Sequence, residues 1–141
     1  MSKLTGGCLC GAIRYELTAK VEAIVACFCS DCRHASGTAA SINTRVPASA
    51  FRLVTGSTRI FRKAADSGRV LERHFCADCG SPIFTRHADS AEQVILKIGS
   101  LDQQDGMKLA ANIWMRSRPS WATVDPSVPA FDEGRPAPPP A

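Results

Sequence analysis

The chain has no apolar stretch near the roughly 20 residues needed to cross a bilayer, which excludes a transmembrane helix. It has no run of like charges of the kind that marks a nucleic-acid tail, and no internal repeat that would build a solenoid. Its first residues, Met1-Ser2-Lys3-Leu4-Thr5-Gly6-Gly7, contain no apolar core of a signal peptide, so a cytoplasmic protein is expected. Helix signals are scarce. The best is Ser30–Ser36, with Ser30 as the expected N-cap, Asp31 in the first turn and Gly37 as the stop.

What the chain does have is β-type sequence. Short runs rich in β-branched and apolar residues recur at 12–17, 23–27, 38–43, 51–54, 59–62, 70–75, 83–86, 94–98 and 112–115, separated by Gly, Pro, Ser and Asp. Ile13, Tyr15 and Leu17 alternate with Ala12, Arg14 and Glu16, as a half-buried strand requires. Thr55-Gly56-Ser57 between two such runs predicts a hairpin turn. The 141 residues therefore predict one mainly β domain over 1–131 with a few short helical turns. A flexible tail over 132–141 is expected, because its Pro-rich end suits neither strand nor helix. The net charge of +4 comes largely from scattered arginines, a solvated basic surface able to steer an anionic small molecule.

Seven cysteines fall in three clusters: Cys8 and Cys10; Cys27, Cys29 and Cys32; Cys76 and Cys79. In a reducing compartment such spacings indicate metal or redox chemistry rather than disulfides, and the odd total leaves one thiol over in any all-disulfide scheme. Gly11 follows Cys10 and Gly80 follows Cys79, supplying the positive φ that a metal knuckle often needs. The two outer clusters thus predict one closed, structural four-thiolate site from Cys8, Cys10, Cys76 and Cys79. Cys27 and Cys29 share a strand face and Cys32 opens the short helix, so three thiolates can converge with a fourth position open to water, a substrate thiolate or a histidine. His34, His74 and His87 read better as surface or hydrogen-bonded residues, although His74 shares a strand face with Cys76. Asp31 and Asp78 read as turn caps. Zinc is favoured over an iron–sulfur cluster, which three thiols would leave a ligand short; two zincs per chain are expected, the second held more weakly.

Several segments carry a family resemblance over nearly the whole chain. They are Gly6-Gly7-Cys8-Leu9-Cys10-Gly11-Ala12-Ile13-Arg14-Tyr15, Cys27-Phe28-Cys29-Ser30-Asp31-Cys32-Arg33, Arg73-His74-Phe75-Cys76-Ala77-Asp78-Cys79-Gly80-Ser81-Pro82-Ile83-Phe84, Gly99-Ser100-Leu101-Asp102 and Ile113-Trp114-Met115-Arg116-Ser117-Arg118-Pro119-Ser120-Trp121. Together they resemble the glutathione-dependent formaldehyde-activating enzymes, a family that includes centromere protein V. The resemblance implies a β-tent fold, a structural zinc on Cys8, Cys10, Cys76 and Cys79, and a catalytic zinc on Cys27, Cys29 and Cys32. It also implies a carbon–sulfur lyase activity that joins glutathione and formaldehyde as S-hydroxymethylglutathione. Phe28 stands where many members carry His, so either a thiol-binding or proton-relaying group is missing or the position is ordinary packing. The rivals are a non-catalytic zinc module that binds protein or nucleic acid, for which the mild charge offers little surface, and an enzyme on another thiol. Arg33, Arg116, Arg118 and Trp114 are pocket candidates, against a plain surface or core role; Trp114 and Trp121 read better as core.

Overall fold

The computed structural model describes residues 3–135. Its strands are β1 (Leu4–Gly7), β2 (Arg14–Leu17), β3 (Ala23–Cys27), β4 (Ser41–Pro47), β5 (Phe51–Thr55), β6 (Arg59–Ala64), β7 (Val70–Phe75), β8 (Pro82–His87), β9 (Gln93–Lys97) and β10 (Lys108–Ile113), with one helix, α1 (Ser30–Ser36). A three-stranded sheet has the order β1-β2-β5, and a seven-stranded sheet the order β10-β3-β4-β9-β8-β7-β6. All neighbours pair antiparallel except β10, which runs parallel to β3. The fold is thus mainly β and single-domain, as the residue pattern predicted. No helix among the described residues is long and apolar enough to cross a membrane.

The core lies between the two sheets. Tyr15 and Leu17 of β2 and Phe51 and Leu53 of β5 meet Val46, Phe84, Val94 and Leu96 of the larger sheet. The rings form a chain across the gap, Tyr15 to Phe51 and Phe51 to Phe84 each at 5.0 Å between centroids. Because strand side chains alternate, each strand in the middle of the larger sheet has an apolar face toward this core and a second face away from it. On β4 and β9 the core face is Ile42, Val46, Val94 and Leu96, and the other face is Ser41, Asn43, Arg45, Ile95 and Lys97.

Two sequence expectations are corrected. The Thr55-Gly56-Ser57 segment is no hairpin: β5 ends in the small sheet and β6 lies at the edge of the large one. Gly56 has φ +77° and a Cβ there would lie 2.4 Å from the Ala12 carbonyl oxygen, so the segment is a tight crossing between sheets. The reason is tertiary, since Phe51 and Leu53 bury better beside β2 than β5 would beside the exposed β6. Strand β1 was not foreseen, because its Gly6-Gly7 gives no β signal. It is held by pairing to β2 and by the Asp102 N–H donating to the Thr5 carbonyl at 2.8 Å.

Of the expected tail over 132–141, residues 136–141 lie outside the described residues. Asp132 and Glu133 accept backbone hydrogen bonds from the Arg116 and Trp114 N–H groups, at 3.3 and 2.9 Å.

Glu72 on β7 ties the far end of the large sheet together. It accepts from Arg62 Nε at 2.8 Å on β6, and Arg86 Nε on β8 lies 3.5 Å away. The Arg62 hydrogen bond is the main cause holding its carboxyl below its ordinary 4.5. A carboxylate depressed in the fold stabilises fully above its unfolded value and stops doing so as pH falls through the lower folded value. Glu72→Gln should cost about 1 kcal/mol, or roughly 3–5 °C in Tm, at pH 7. Thermal unfolding at a series of pH values should show this gap closing below about pH 4.

Candidate metal centres

The first centre joins the two sheets. Cys8 and Cys10 lie in the β1–β2 connection and Cys76 and Cys79 in the β7–β8 turn, and their four sulfurs lie within 4.8 Å of one another. Cys8 Sγ is 3.6 Å from Cys10 Sγ, and Cys10 Sγ is 3.7 Å from Cys76 Sγ. These are far beyond a disulfide bond of about 2.05 Å. They match the edge, about 3.8 Å, of a thiolate tetrahedron with metal–sulfur bonds of about 2.3 Å. The donor set therefore fits zinc.

Local backbone prepares each half. Gly11 and Gly80 take φ +82° and +78°, and their N–H groups return to the Cys8 and Cys76 carbonyls at 3.2 and 2.8 Å. Ile13 N–H donates to Cys8 Sγ at 3.2 Å. The Ser81 hydroxyl, 3.2 Å from Cys79 Sγ and the main cause, holds that thiol down to about 5. The same hydroxyl accepts from Leu9 N–H at 3.0 Å, bridging the two halves.

The second centre is the trio Cys27, Cys29 and Cys32, whose sulfurs also lie within 4.8 Å of one another. Among the described residues no fourth cysteine, histidine or carboxylate joins this group. Cys27 ends β3 and Cys32 sits in the first turn of α1. The helix cap differs from expectation: the N-cap is Cys29, whose sulfur accepts from the Cys32 N–H at 3.3 Å, and not Ser30. The Cys29 sulfur stands over the first turn and serves as the acceptor, and Ser30 falls inside the helix. Gly37 closes α1 in the left-handed region, as its place in the sequence predicted.

Register decides what surrounds the trio. Ser41 of β4 pairs with Cys27, while Asn43 pairs with Val25 on one side and Lys97 of β9 on the other. Cross-strand partners share a face. Ser41, Asn43 and Lys97 therefore share the face of Cys27. Lys97 Nζ donates to Asn43 Oδ1 at 2.9 Å and to Ser41 Oγ at 3.2 Å. Burial lowers the Lys97 pKa, and the Cys32 sulfur opposes that. Hydrogen bonds from Cys27 and Cys29 hold the Cys32 thiol well below its ordinary value, with Lys97 and Arg73 adding to the effect. Cys27 is pushed up by its hydrogen bonds with Cys29 and Cys32 and by burial.

Lys97, Ser41 and Asn43 were not expected as site residues from the sequence, and Arg73 only as one of the scattered arginines. One signal was available: Lys97 is a lone cation between Leu96 and Ile98 in an otherwise apolar run. Of the expected pocket candidates, Arg116 pairs with Glu133 at 2.8 Å and Arg118 donates to the Ala122 carbonyl. Trp114 is half-buried at φ +56°, before a 3-10 turn. Trp121 is 72% exposed, contrary to its expected place in the core, and borders an open groove of about 500 Å³.

None of the histidines enters either thiol group. His34 Nδ1 lies 2.8 Å from the Ser30 carbonyl, and His74 stacks on Phe84 at 4.0 Å and bonds to the Thr58 hydroxyl at 2.7 Å. Phe28 packs with Ala26 and Ala122 in a second small core. Its side chain is on the opposite strand face from Cys27 and Cys29, which answers the packing question at that position.

Comparison with known proteins agrees with this architecture. A crystal structure of a Rhodobacter sphaeroides protein, a structural-genomics target, superposes with a TM-score of 0.56 at 22% identity, covering 72% of this chain and 90% of that one. At that identity the likeness concerns the fold. The model of the glutathione-dependent formaldehyde-activating enzyme family matches residues 3–117 and so spans both thiol groups. The chain belongs to the glutathione-dependent formaldehyde-activating enzyme family.

Proposed function

We propose that the protein adds a thiol such as glutathione to formaldehyde or a related small aldehyde, a carbon–sulfur lyase-type reaction, in the cytoplasm. In this reading Cys27, Cys29 and Cys32 hold a catalytic zinc and Cys8, Cys10, Cys76 and Cys79 a structural one. The observation that carries it is the trio of converged thiols with no fourth side-chain ligand among the described residues, in a member of this family. When bound, zinc supplies a position where a thiol is held as thiolate at neutral pH.

The chain's own residues set the geometry around that position. Cys27 is fixed by β3 and Cys32 by α1, and the Cys32 N–H holds the Cys29 sulfur. Lys97, tied down by Ser41 and Asn43, places positive charge beside a group that gathers negative charge. In the reaction the substrate sulfur forms a bond to the carbonyl carbon as the C=O π bond opens onto oxygen. That oxygen takes up the proton the thiol gives, so R–SH and CH2O become R–S–CH2OH with no further reactant. Much of the gain comes from holding two small molecules in register, an effect that can be very large. Phe28 takes no group from this face, because its side chain packs on the other one.

Two measurements test the reading. Zinc-replete protein should hold two zincs per chain, and a mild chelator should take one first, with the stability of the fold largely kept; removal of the second should unfold it. Loss of both together, or a single zinc at saturation, would count against an open second site. NMR of glutathione and formaldehyde with the loaded protein should show hemithioacetal forming faster than the spontaneous background, and Cys29→Ser should return it to background. No acceleration with this pair would overturn the proposal.

A further inference from the structure

At the β10–β3 end of the large sheet a second, smaller apolar cluster is covered by Ala122 and Val124 and not by the small sheet. Asn112 of β10 pairs with Ala26 of β3, and Ala26 pairs with Ile42 of β4. Cross-strand partners share a face, so these side chains form one row, with the small alanine between two longer neighbours. Phe28, two residues past Ala26, extends this face, which is the reverse of the one that carries Cys27. Over the row lies the groove of about 500 Å³ that Trp121 borders, and Asn112 lines it. Small-molecule sites commonly measure about 300–1,000 Å³.

Asn112 is an unexpected residue at that place. Its backbone N–H donates to the Pro129 carbonyl and its carbonyl accepts from the Phe131 N–H, each at 2.9 Å, bonds that do not depend on the side chain. The side chain is 1% exposed and its Nδ2 has no partner. Buried polar groups nearly always have one, and a leucine would fill the same space beside Ala26 without an unpaired amide.

We propose that this groove binds a neutral, flat molecule with a carbonyl oxygen, which accepts from Asn112 Nδ2 while its ring lies over Ala26 and against Trp121. The site is separate from the thiol–aldehyde chemistry, being on the other face of the sheet. The terminal torsion of asparagine is soft, so the amide can turn to meet an acceptor above the row. Alanines at 26, 39 and 40 leave the floor wide enough for a ring. The wall is fixed in advance: Arg118 donates to the Ala122 carbonyl, and the Ala122 N–H donates to the Pro119 carbonyl at 3.0 Å. That turn presents the Trp121 ring at 72% exposure, a flat apolar surface on which a second ring can stack. Charge also selects the ligand. No lysine, arginine or histidine lines the groove among the described residues, so an anion finds no counter-charge. Asp125 at the rim already accepts from the Ser127 N–H and hydroxyl, at 2.9 and 2.7 Å.

The test is NMR titration of the isotope-labelled, zinc-loaded full chain with acetophenone, toluene, cyclohexyl methyl ketone and benzoate. Acetophenone should bind most tightly, although toluene is more apolar and a merely greasy groove would rank it first. It should also shift the Asn112 side-chain amide signal, which Asn112→Leu deletes. Asn112→Leu should keep its Tm, weaken acetophenone about fivefold and put toluene first. Trp121→Ala should keep its Tm and lose the preference for acetophenone over the non-planar ketone. Neither variant should change the zinc content, which separates this groove from the thiols. If Asn112→Leu does not fold, the ranking of the four probes and Trp121→Ala carry the comparison. Toluene or benzoate ranked first, an unmoved Asn112 amide, or no binding at millimolar probe would overturn the site. So would groove signals that move with protein concentration alone, which would mark a second copy of the chain as the occupant.

Discussion

Strand β4 runs between β3 and β9, and its register with the two decides the chemistry of the molecule. Sliding β4 by one residue would turn Ile42 and Val46 out of the core and bring Ser41 and Asn43 into it. The apolar face is therefore pinned by burial, and the polar face follows without further choice. Asn43 then stands between Val25 and Lys97, Ser41 stands beside Cys27, and the lysine ammonium is drawn over the middle of the sheet toward the thiols. Packing on one side of the sheet thus positions charge on the other.

The two thiol groups differ in what they join. Cys8, Cys10, Cys76 and Cys79 connect the small sheet to the far end of the large one across 66 or more residues of chain, at a place where the core contributes Ile13, Ile83 and Cys76 itself. Such a closure removes many open conformations from the unfolded chain. Cys27, Cys29 and Cys32 span only six positions, so their convergence constrains little beyond the β3–α1 corner. That locality suits a site whose occupancy can change without disturbing the fold.

Much of this was legible in the residues. The strand segments 23–27 and 70–75 have the predicted limits, because β-branched runs bounded by loop residues need no tertiary help to be recognised. The grouping of the outer four cysteines followed from Gly11 and Gly80, since a positive φ is a local demand that local sequence reveals. Other features were hidden. Strand β1 has glycines where a strand signal should be, and it exists because β2 and Asp102 give its backbone partners. The crossing at Gly56 looked like a hairpin because turn chemistry is the same whether the chain folds back or changes sheets. Cys29 took the helix cap expected of Ser30 because the chain stays extended through Cys29 and turns helical at Ser30, which the residue types alone do not reveal.

By itself the sequence determined the mainly β class, the division of the cysteines into four and three, and the family, because each depends on residue type and short-range spacing. Only the tertiary structure decided which side chains stand over the trio. Ser41 and Asn43 come from β4 and Lys97 from β9, 54 or more positions along the chain, and they share a face with Cys27 only through the pairing of β3, β4 and β9. Phe28, adjacent in sequence to two of the three thiols, turns the other way. Neighbours along a strand point to opposite faces, while partners across strands point together, so the companions of the trio are set by strand order and register, which no local pattern records.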